Sequence, residues 1–184
     1  MEARDTKGRI VKETFPSEMV SIVGDILAGI ILSLLIVSFK SFLLLILIIP
    51  ALLSLRGNLS GPFIARTSRD FIIGEFNKKS WFENVLATLS LSLLTALAIG
   101  VFSILINFLL IRLYIFHLGL LIVIPMVSIA LTLAISIPCS TLLNFLAFRR
   151  GLDPNNIVNP VMTAIDDFFT VICFYVTIIM LGVP

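Results

Sequence analysis

The chain has 184 residues, of which 59% are hydrophobic and only 13% are charged. Soluble domains carry roughly 25% charged residues, so this chain cannot cover itself with a polar surface and needs lipid as its solvent. The formal net charge of +2 is too small to favour a nucleic-acid partner. Both cysteines lie inside apolar stretches without paired spacing, which argues against a zinc site or a disulfide framework.

Five apolar segments are long enough to cross a hydrocarbon core of roughly 30 Å. In chain order they cover residues 19–39, 42–73, 85–113, 118–148 and 157–181. In the second segment, Pro50, Gly57 and Pro62 predict local breaks in the helix. We therefore expect an all-α integral membrane protein with five transmembrane helices, in which a tail of residues 1–18 precedes one transmembrane domain over residues 19–184.

Lysine and arginine positions predict the orientation. Most lie in the amino-terminal tail and in the second-to-third and fourth-to-fifth connections, all on one side of the membrane: Arg4, Lys7, Arg9, Lys12, Arg66, Arg69, Lys78, Lys79, Arg149 and Arg150. The opposite side has only Lys40 and Arg112. The positive-inside bias places the amino terminus and its tail in the cytoplasm and the carboxyl terminus outside, as expected for a multi-pass protein of the plasma membrane.

The fifth segment contains two acids that lipid should exclude. Asp166 and Asp167 lie about ten residues into it, roughly 15 Å from its cytoplasmic end and near the midplane. An ionised carboxylate there costs at least ~2.5–3.5 kcal/mol, so both are functional candidates. Helical phase places Asp166 at the border of a polar sector formed by Asn156, Asn159, Thr163, Asp167, Thr170 and Thr177. Carboxylate, amide and hydroxyl oxygens suit hard divalent cations, so this face predicts an ion pathway.

Pro160 lacks a backbone N–H group, so a carbonyl on the preceding turn can be free to face a cavity. The alternative interpretation of this helix is structural. A buried aspartate would pair with a base such as Arg56, while Thr and Asn side chains would only bond between helices. We favour the ion pathway.

The second segment has a matching face of small or polar residues, namely Ala51, Ser54, Asn58, Gly61, Pro62, Ala65 and Arg69. Helix packing alone explains small residues, but beside the aspartates this face is a candidate second wall of the pathway. Asp25, roughly 10 Å from the cytoplasmic end of the first segment, shares a face with Ser21 and Ala28. Asp25 either guards a cytoplasmic mouth or pairs with an arginine of a connection.

Two motifs lie on the second and fifth segments and the connections that follow or precede them. The first is Pro-Ala-Leu-Leu-Ser-Leu-Arg-Gly-Asn at residues 50–58, followed by Arg69 and by Gly-Glu at residues 74–75. The second is Asp-Pro at residues 153–154, followed by Pro160 and, seven residues later, by Asp167. Both resemble the signatures of the MgtE family of Mg²⁺ transporters, and the first most resembles the form found in the eukaryotic solute-carrier Mg²⁺ transporters of the same superfamily.

The resemblance implies a cation pore between two five-helix modules, lined by the second and fifth helices. It implies that Asp167 holds Mg²⁺ and that Asn58 lines the pore. Asp166 departs from the family pattern, because relatives commonly have an uncharged residue there. The eukaryotic relatives fuse two modules, and this chain has one, so we expect a homodimer.

The predicted function is therefore transport of Mg²⁺ along an axial pathway, without enzymatic activity. The predicted metal ligands are Asp167, Asp166, Asn58, Asn159 and Thr163, and the predicted pore-lining residues are Ser54, Gly61, Ala65 and Thr170. Mg²⁺ is expected to be both cargo and a structural ion, and the expected partners are the bilayer, a second copy and divalent cations, with no nucleic acid. The alternatives are a cation-coupled exchanger, a transporter of another divalent metal, and a non-transporting assembly subunit.

Overall fold

The structure, a computed structural model, describes residues 6–38, 42–112, 114 and 117–183. Its helices are α1 (Lys7–Ser38), α2 (Phe42–Leu45), α3 (Ile48–Ile73), α4 (Lys78–Ile106), α5 (Leu120–Arg149) and α6 (Pro154–Met180). A π-helical turn, Asn107–Ile111, follows α4. No strand occurs in the described ranges, and the all-α prediction is confirmed.

Among the described residues, four helices are long and apolar enough to cross a membrane, namely α1, α4, α5 and α6. The fifth long helix, α3, has 26 residues, which corresponds to a length of about 39 Å, and its crossing of the membrane stays a prediction. It is the least hydrophobic of the five long helices, and its charged side chains include Arg56, Arg66 and Asp70. The chain is therefore a multi-pass membrane protein in which one long helix is unusually polar.

The first helix begins at Lys7 rather than near Met19, so most of the predicted tail is helical. An ion pair between Arg9 Nε and Glu13 Oε1, 2.8 Å long and one helical turn apart, supports this extension. Arg4 of the predicted tail lies outside the described residues.

The predicted second segment is divided ahead of Pro50, between α2 and α3. Pro50 lies in the first turn of α3. Backbone N–H groups in a first turn have no hydrogen-bond acceptor within the helix, so a proline there removes no helical hydrogen bond. The breaks predicted at Gly57 and Pro62 were wrong, because α3 continues through both residues. Lys40, which precedes α2, lies outside the described residues.

Contacts along α6 establish the direction of its neighbours. Helix α1 runs parallel to α6, because Glu13 reaches Asp153 near the start of both helices and Gly24 reaches Ala164 farther along. Helix α3 runs antiparallel to α6. Its earlier residue Arg56 contacts Asp166, and the later Gly61 lies beside Asn159.

Helix α4 runs antiparallel to α5, since Trp81 Nε1 donates to Thr141 Oγ1 at 2.9 Å and Gly100 lies against Ile122. The approach at Gly100 is close, because a Cβ atom there would lie 2.5 Å from the Ile122 Cα. The buried side of α4 consists of small or polar residues: Thr88, Ser92, Ala96, Gly100 and Ser103. Small side chains let the two backbones approach closely and gain dispersion contacts. In lipid these contacts drive helix association, because the hydrophobic effect does not.

Candidate cation-binding site

Asp166 is neutralised within the protein. Its Oδ1 lies 2.8 Å from Arg56 Nη2, its Oδ2 accepts from the Ser60 hydroxyl, and the Asp166 and Arg56 side chains are only 2% and 1% exposed. Arg56 and Ser60 are one turn apart on α3, so these bonds fasten α3 to α6. For Asp166 the arrangement matches the alternative interpretation of a buried acid with Arg56, and its role as a metal ligand stays a prediction.

Asp167 has a different environment. It is half-buried, and among the described residues no hydrogen bond or ion pair joins it to another side chain. The negative charges of Asp25 and Asp166 repel the Asp167 carboxylate. The positive charge of Arg56 attracts it, but Arg56 is already bonded to Asp166. Asp167 is therefore a carboxylate within a membrane-crossing helix whose charge the described part of the chain does not compensate.

Asp25 lies almost level with Asp167. Helix α1 touches α6 where a Cβ atom on Gly24 would lie 2.5 Å from the Ala164 Cβ, and the two helices are parallel. Asp25, the next residue, is exposed. Because α1 already begins at Lys7, Asp25 lies deeper along its helix than the sequence suggested. Two acids without a basic partner in the described chain thus occupy one level of the bundle.

The predicted face of α3 lies on the open side of that helix. Ser54, Asn58 and Ala65 are exposed, and Gly61 is half-buried. A Cβ atom on Gly61 would lie 3.8 Å from Asn159 Oδ1, so the polar faces of α3 and α6 meet at this point. Ser54 and Asn58 also line a groove of about 320 Å³ between α3 and α4.

The polar face of α6 is accessible only along part of its length. Asn159 is exposed, and the half-buried Thr163 donates to the Asn159 carbonyl at 3.0 Å. Farther along, Thr170 is buried beside Leu52 and Phe174, with no partner for its hydroxyl in the described chain. The accessible oxygens therefore end near Asp167, and Thr170 does not line an open surface of the single chain.

The carbonyl expected to be free because of Pro160 belongs to Asn156, four residues earlier. It accepts a hydrogen bond from Ser17 Oγ at 3.2 Å. A hydroxyl group of α1 therefore binds the carbonyl that was expected to be free to face a cavity. This contact could not be inferred from α6 alone, because Ser17 lies in the predicted tail.

Sequence reasoning also missed Glu13. Its Oε2 accepts from Asn156 Nδ2 at 3.1 Å and from the Asp153 backbone N–H at 3.4 Å. Asp153 itself caps α6 by accepting from the Asn155 N–H at 2.9 Å. A carboxylate at this end of α6 is favoured by the helix dipole, so Glu13 holds the start of α1 against the start of α6.

The end of α3 contains a second structural acid that was missed, Asp70. It is 3% exposed and accepts from Ser80 Oγ at 2.6 Å and from Arg69 Nη2 at 3.2 Å. Gly74, with φ of 75°, ends the helix, and the Glu75 N–H donates to the Asp70 carbonyl at 2.9 Å. Gly-Glu at residues 74–75 and Asp-Pro at residues 153–154 therefore have helix-ending and helix-starting roles.

Within the part of the chain that the structure describes, no three His, Cys, Asp or Glu side chains form a group able to hold a metal ion. The additional oxygen atoms along the α3 and α6 faces come from amides and hydroxyls, such as those of Asn58, Asn159 and Thr163. Such neutral oxygens bind hard cations directly or through water.

The model of the MgtE family, described as divalent cation transporters, matches residues 49–177. The matched region contains both sequence motifs, the Arg56–Asp166 pair and Asp167, and it covers more than half of the chain. No curated protein matches the chain. The chain therefore belongs to the MgtE family of divalent cation transporters.

Proposed function

We propose that this chain transports Mg²⁺ across the plasma membrane, with α1, α3, α4, α5 and α6 all crossing the bilayer and the amino terminus in the cytoplasm. The observation that carries the proposal is that only one of two adjacent acids has a basic partner. Arg56 neutralises Asp166 and leaves Asp167 beside Asp25 without a cation in the described chain. A carboxylate in a membrane-crossing helix is costly, and a bound divalent cation offsets that cost.

The ligand chemistry favours a partly hydrated Mg²⁺. Mg²⁺ releases water reluctantly, so one or two carboxylates with neutral oxygens that hold its water molecules form a suitable site. Asp167 supplies the charge, and Asn58, Asn159 and Thr163 supply amide and hydroxyl oxygens for the hydration shell. Asp166 acts on the site mainly by binding Arg56, which keeps the arginine charge away from the ion.

A second copy completes the site in this proposal. Ser54, Asn58 and Asn159 are exposed on the single chain, and polar groups of this kind are costly to leave in lipid. A two-fold axis along the membrane normal would bring the α3 and α6 faces of two copies together. The axial pathway would then pass Ser54, Gly61 and Ala65, with the ion bridging the two Asp167 residues and stabilising the dimer.

Asp25 gives this pathway a second carboxylate at almost the same level as Asp167. It is exposed and acts electrostatically on Asp167, so a cation held at one acid also lowers the repulsion felt by the other. In this proposal Asp25 attracts the ion toward the Asp167 site. The proposed mechanism needs no covalent chemistry.

Flux into liposomes that contain only this protein tests the proposal. We expect Mg²⁺ uptake with wild type and loss of at least about tenfold with Asp167→Asn, because the variant keeps the shape but removes the charge that offsets ion dehydration. Glu83→Gln, which neutralises an exposed acid near the start of α4, should transport like wild type. Equal Mg²⁺ flux in the wild type and Asp167→Asn would exclude the assigned site, and parallel assays with Mn²⁺, Co²⁺ and Ca²⁺ measure selectivity.

A further inference from the structure

A groove at the Lys- and Arg-rich end of the bundle has no part in the cation pathway. It contains a cavity of about 600 Å³ between the start of α1 and the α5–α6 connection, lined by Arg9, Lys12, Glu13 and Pro16 together with Leu152 and Ile157. A narrower crevice of about 110 Å³ continues between α5 and α6. Leu152 and Ile157 line both spaces, so the two form one groove.

The charge in this groove is positive and lies at one end. Arg9 and Glu13 form an ion pair and offset each other. Lys12 lines the wider cavity and Arg150 lines the crevice, and both residues are exposed. Among the described residues these four are the charged side chains that line the groove, and together they carry a net charge of about two positive units.

The inner walls of the groove are apolar. The crevice is lined by Leu143, Leu146, Ala147, Val158 and Val161 in addition to the shared Leu152 and Ile157. Its axis runs from the helix ends between two helices that cross the membrane. A basic mouth above an apolar slot is complementary to an amphiphile with an anionic head and a hydrocarbon chain.

We propose that this groove binds one anionic phospholipid, whose phosphate lies between Lys12 and Arg150 and whose acyl chain enters the crevice between α5 and α6. A soluble phosphate compound would use only the mouth, and a zwitterionic lipid would gain little from the two basic residues. A bound lipid would contact α1, α5 and α6 together at the end of the bundle where Glu13 already joins them.

Native mass spectrometry of the full chain tests the proposal. The protein is purified from vesicles of phosphatidylcholine and phosphatidylglycerol in equal amounts, and the retained lipids are counted. We expect one phosphatidylglycerol per chain to be retained preferentially. Lys12→Ala and Arg150→Ala should each weaken retention about fivefold, and the double variant about 25-fold, as expected for loss of one and two basic contacts.

The matched control is the double variant Lys78→Ala and Lys79→Ala, which removes two exposed charges at the start of α4 outside the groove. It should retain phosphatidylglycerol like wild type, and an equal loss would show diffuse attraction and overturn the site. Equal retention of both lipids would also overturn it. Lys12→Arg keeps the positive charge, so it should retain phosphatidylglycerol like wild type. Weaker retention in a Lys12→Arg protein with a wild-type melting curve would count against the proposed charge contact.

A chain-free headgroup distinguishes a lipid from a soluble phosphate ligand. Glycerophosphoglycerol at the same concentration should not displace the retained phosphatidylglycerol, because it cannot fill the apolar crevice. Complete displacement would overturn the acyl-chain part of the proposal. Ile157→Trp, which places a bulky ring in both parts of the groove, should reduce retention without removing a charge, and unchanged retention would contradict the assigned crevice.

Discussion

At the scale of single residues, two neighbouring aspartates have different partners in the structure. Successive residues of a helix point about 100° apart, so adjacent acids can face different surroundings. Asp166 is bonded to Arg56 and Ser60, whereas Asp167 has a hydrogen bond or ion pair with neither. The sequence placed Asp166 at the edge of the polar sector and offered Arg56 as a partner for a buried aspartate, but it did not show which of the two aspartates Arg56 would bind.

This difference predicts opposite effects of two similar substitutions. Asp166→Asn leaves Arg56 buried with its charge uncompensated, which should lower the free energy of unfolding by about 3–5 kcal/mol. Mg²⁺ flux per folded molecule should remain measurable, whereas Asp167→Asn should keep its stability and lose flux. Denaturant unfolding in detergent, together with liposome flux, checks both.

The double variant Arg56→Met with Asp166→Leu serves as the control. It removes both charges, so most of the stability lost in Asp166→Asn should return. An active Asp167→Asn protein beside an inactive but fully stable Asp166→Asn protein would show that the two roles are reversed.

At the scale of helices, close contact between α1 and α6 determines the level of Asp25. Gly24→Ala places a methyl group against Ala164, where its Cβ would be only 2.5 Å from the Ala164 Cβ. We expect α1 to shift and stability to fall by about 1–3 kcal/mol, as in other overpacked sites. Thermal unfolding measures the loss.

Gly29→Ala is the matched control in the same helix, because its added Cβ meets nothing within 4 Å. It should retain wild-type stability, since alanine favours the helix over glycine. A similar loss for both variants would mean that backbone flexibility, and not the contact with Ala164, is responsible.

Much of the helical framework was predictable, because hydropathy and helical phase depend on residues within one segment. The predicted starts at residues 118 and 157 lie close to the observed starts of α5 at Leu120 and α6 at Pro154, whereas α4 begins at Lys78 and not at residue 85. The predicted polar face of α3 is its open side. The missed features involve pairs of distant helices. Ser17 with the Asn156 carbonyl and Glu13 with Asp153 are separated by 139 and 140 residues, and no single helix contains their pattern.

At the scale of the whole molecule, the proposed dimer predicts where two copies meet. In a protein whose Cys139 and Cys173 are replaced by alanine, Asn58→Cys should form a disulfide-linked dimer under mild oxidation. The exposed α3 face of one copy would lie near the same face of the other. Electrophoresis without reductant measures the dimer.

Leu142→Cys, on the exposed side of α5, provides the comparison position and should remain monomeric in the same assay. Equal cross-linking at both positions would indicate random collisions. A monodisperse monomer with full Mg²⁺ flux would contradict the dimer regardless of the cross-links.

The proposed ion should also stabilise the whole assembly. Two Asp167 and two Asp25 carboxylates repel one another without a cation, so binding to the folded state raises its stability, by about 2.7 kcal/mol when the free ion is at 100 times its Kd. Millimolar Mg²⁺ should therefore raise the melting temperature of wild type, and much less that of Asp167→Asn. An equal rise in both would place the ion elsewhere.

The ion pair between Arg56 and Asp166 has a consequence for biogenesis, because its partners are 110 residues apart in the chain. An arginine in the middle of a helix opposes entry into lipid by about 2.5–3.5 kcal/mol. At synthesis rates of about 5–20 residues per second, α3 emerges roughly 5–20 s before the aspartate that neutralises it. If α3 crosses the bilayer as proposed, its arginine has no aspartate partner during that interval. Arrival of α6 supplies the partner, so we expect stable integration of α3 to depend on α6.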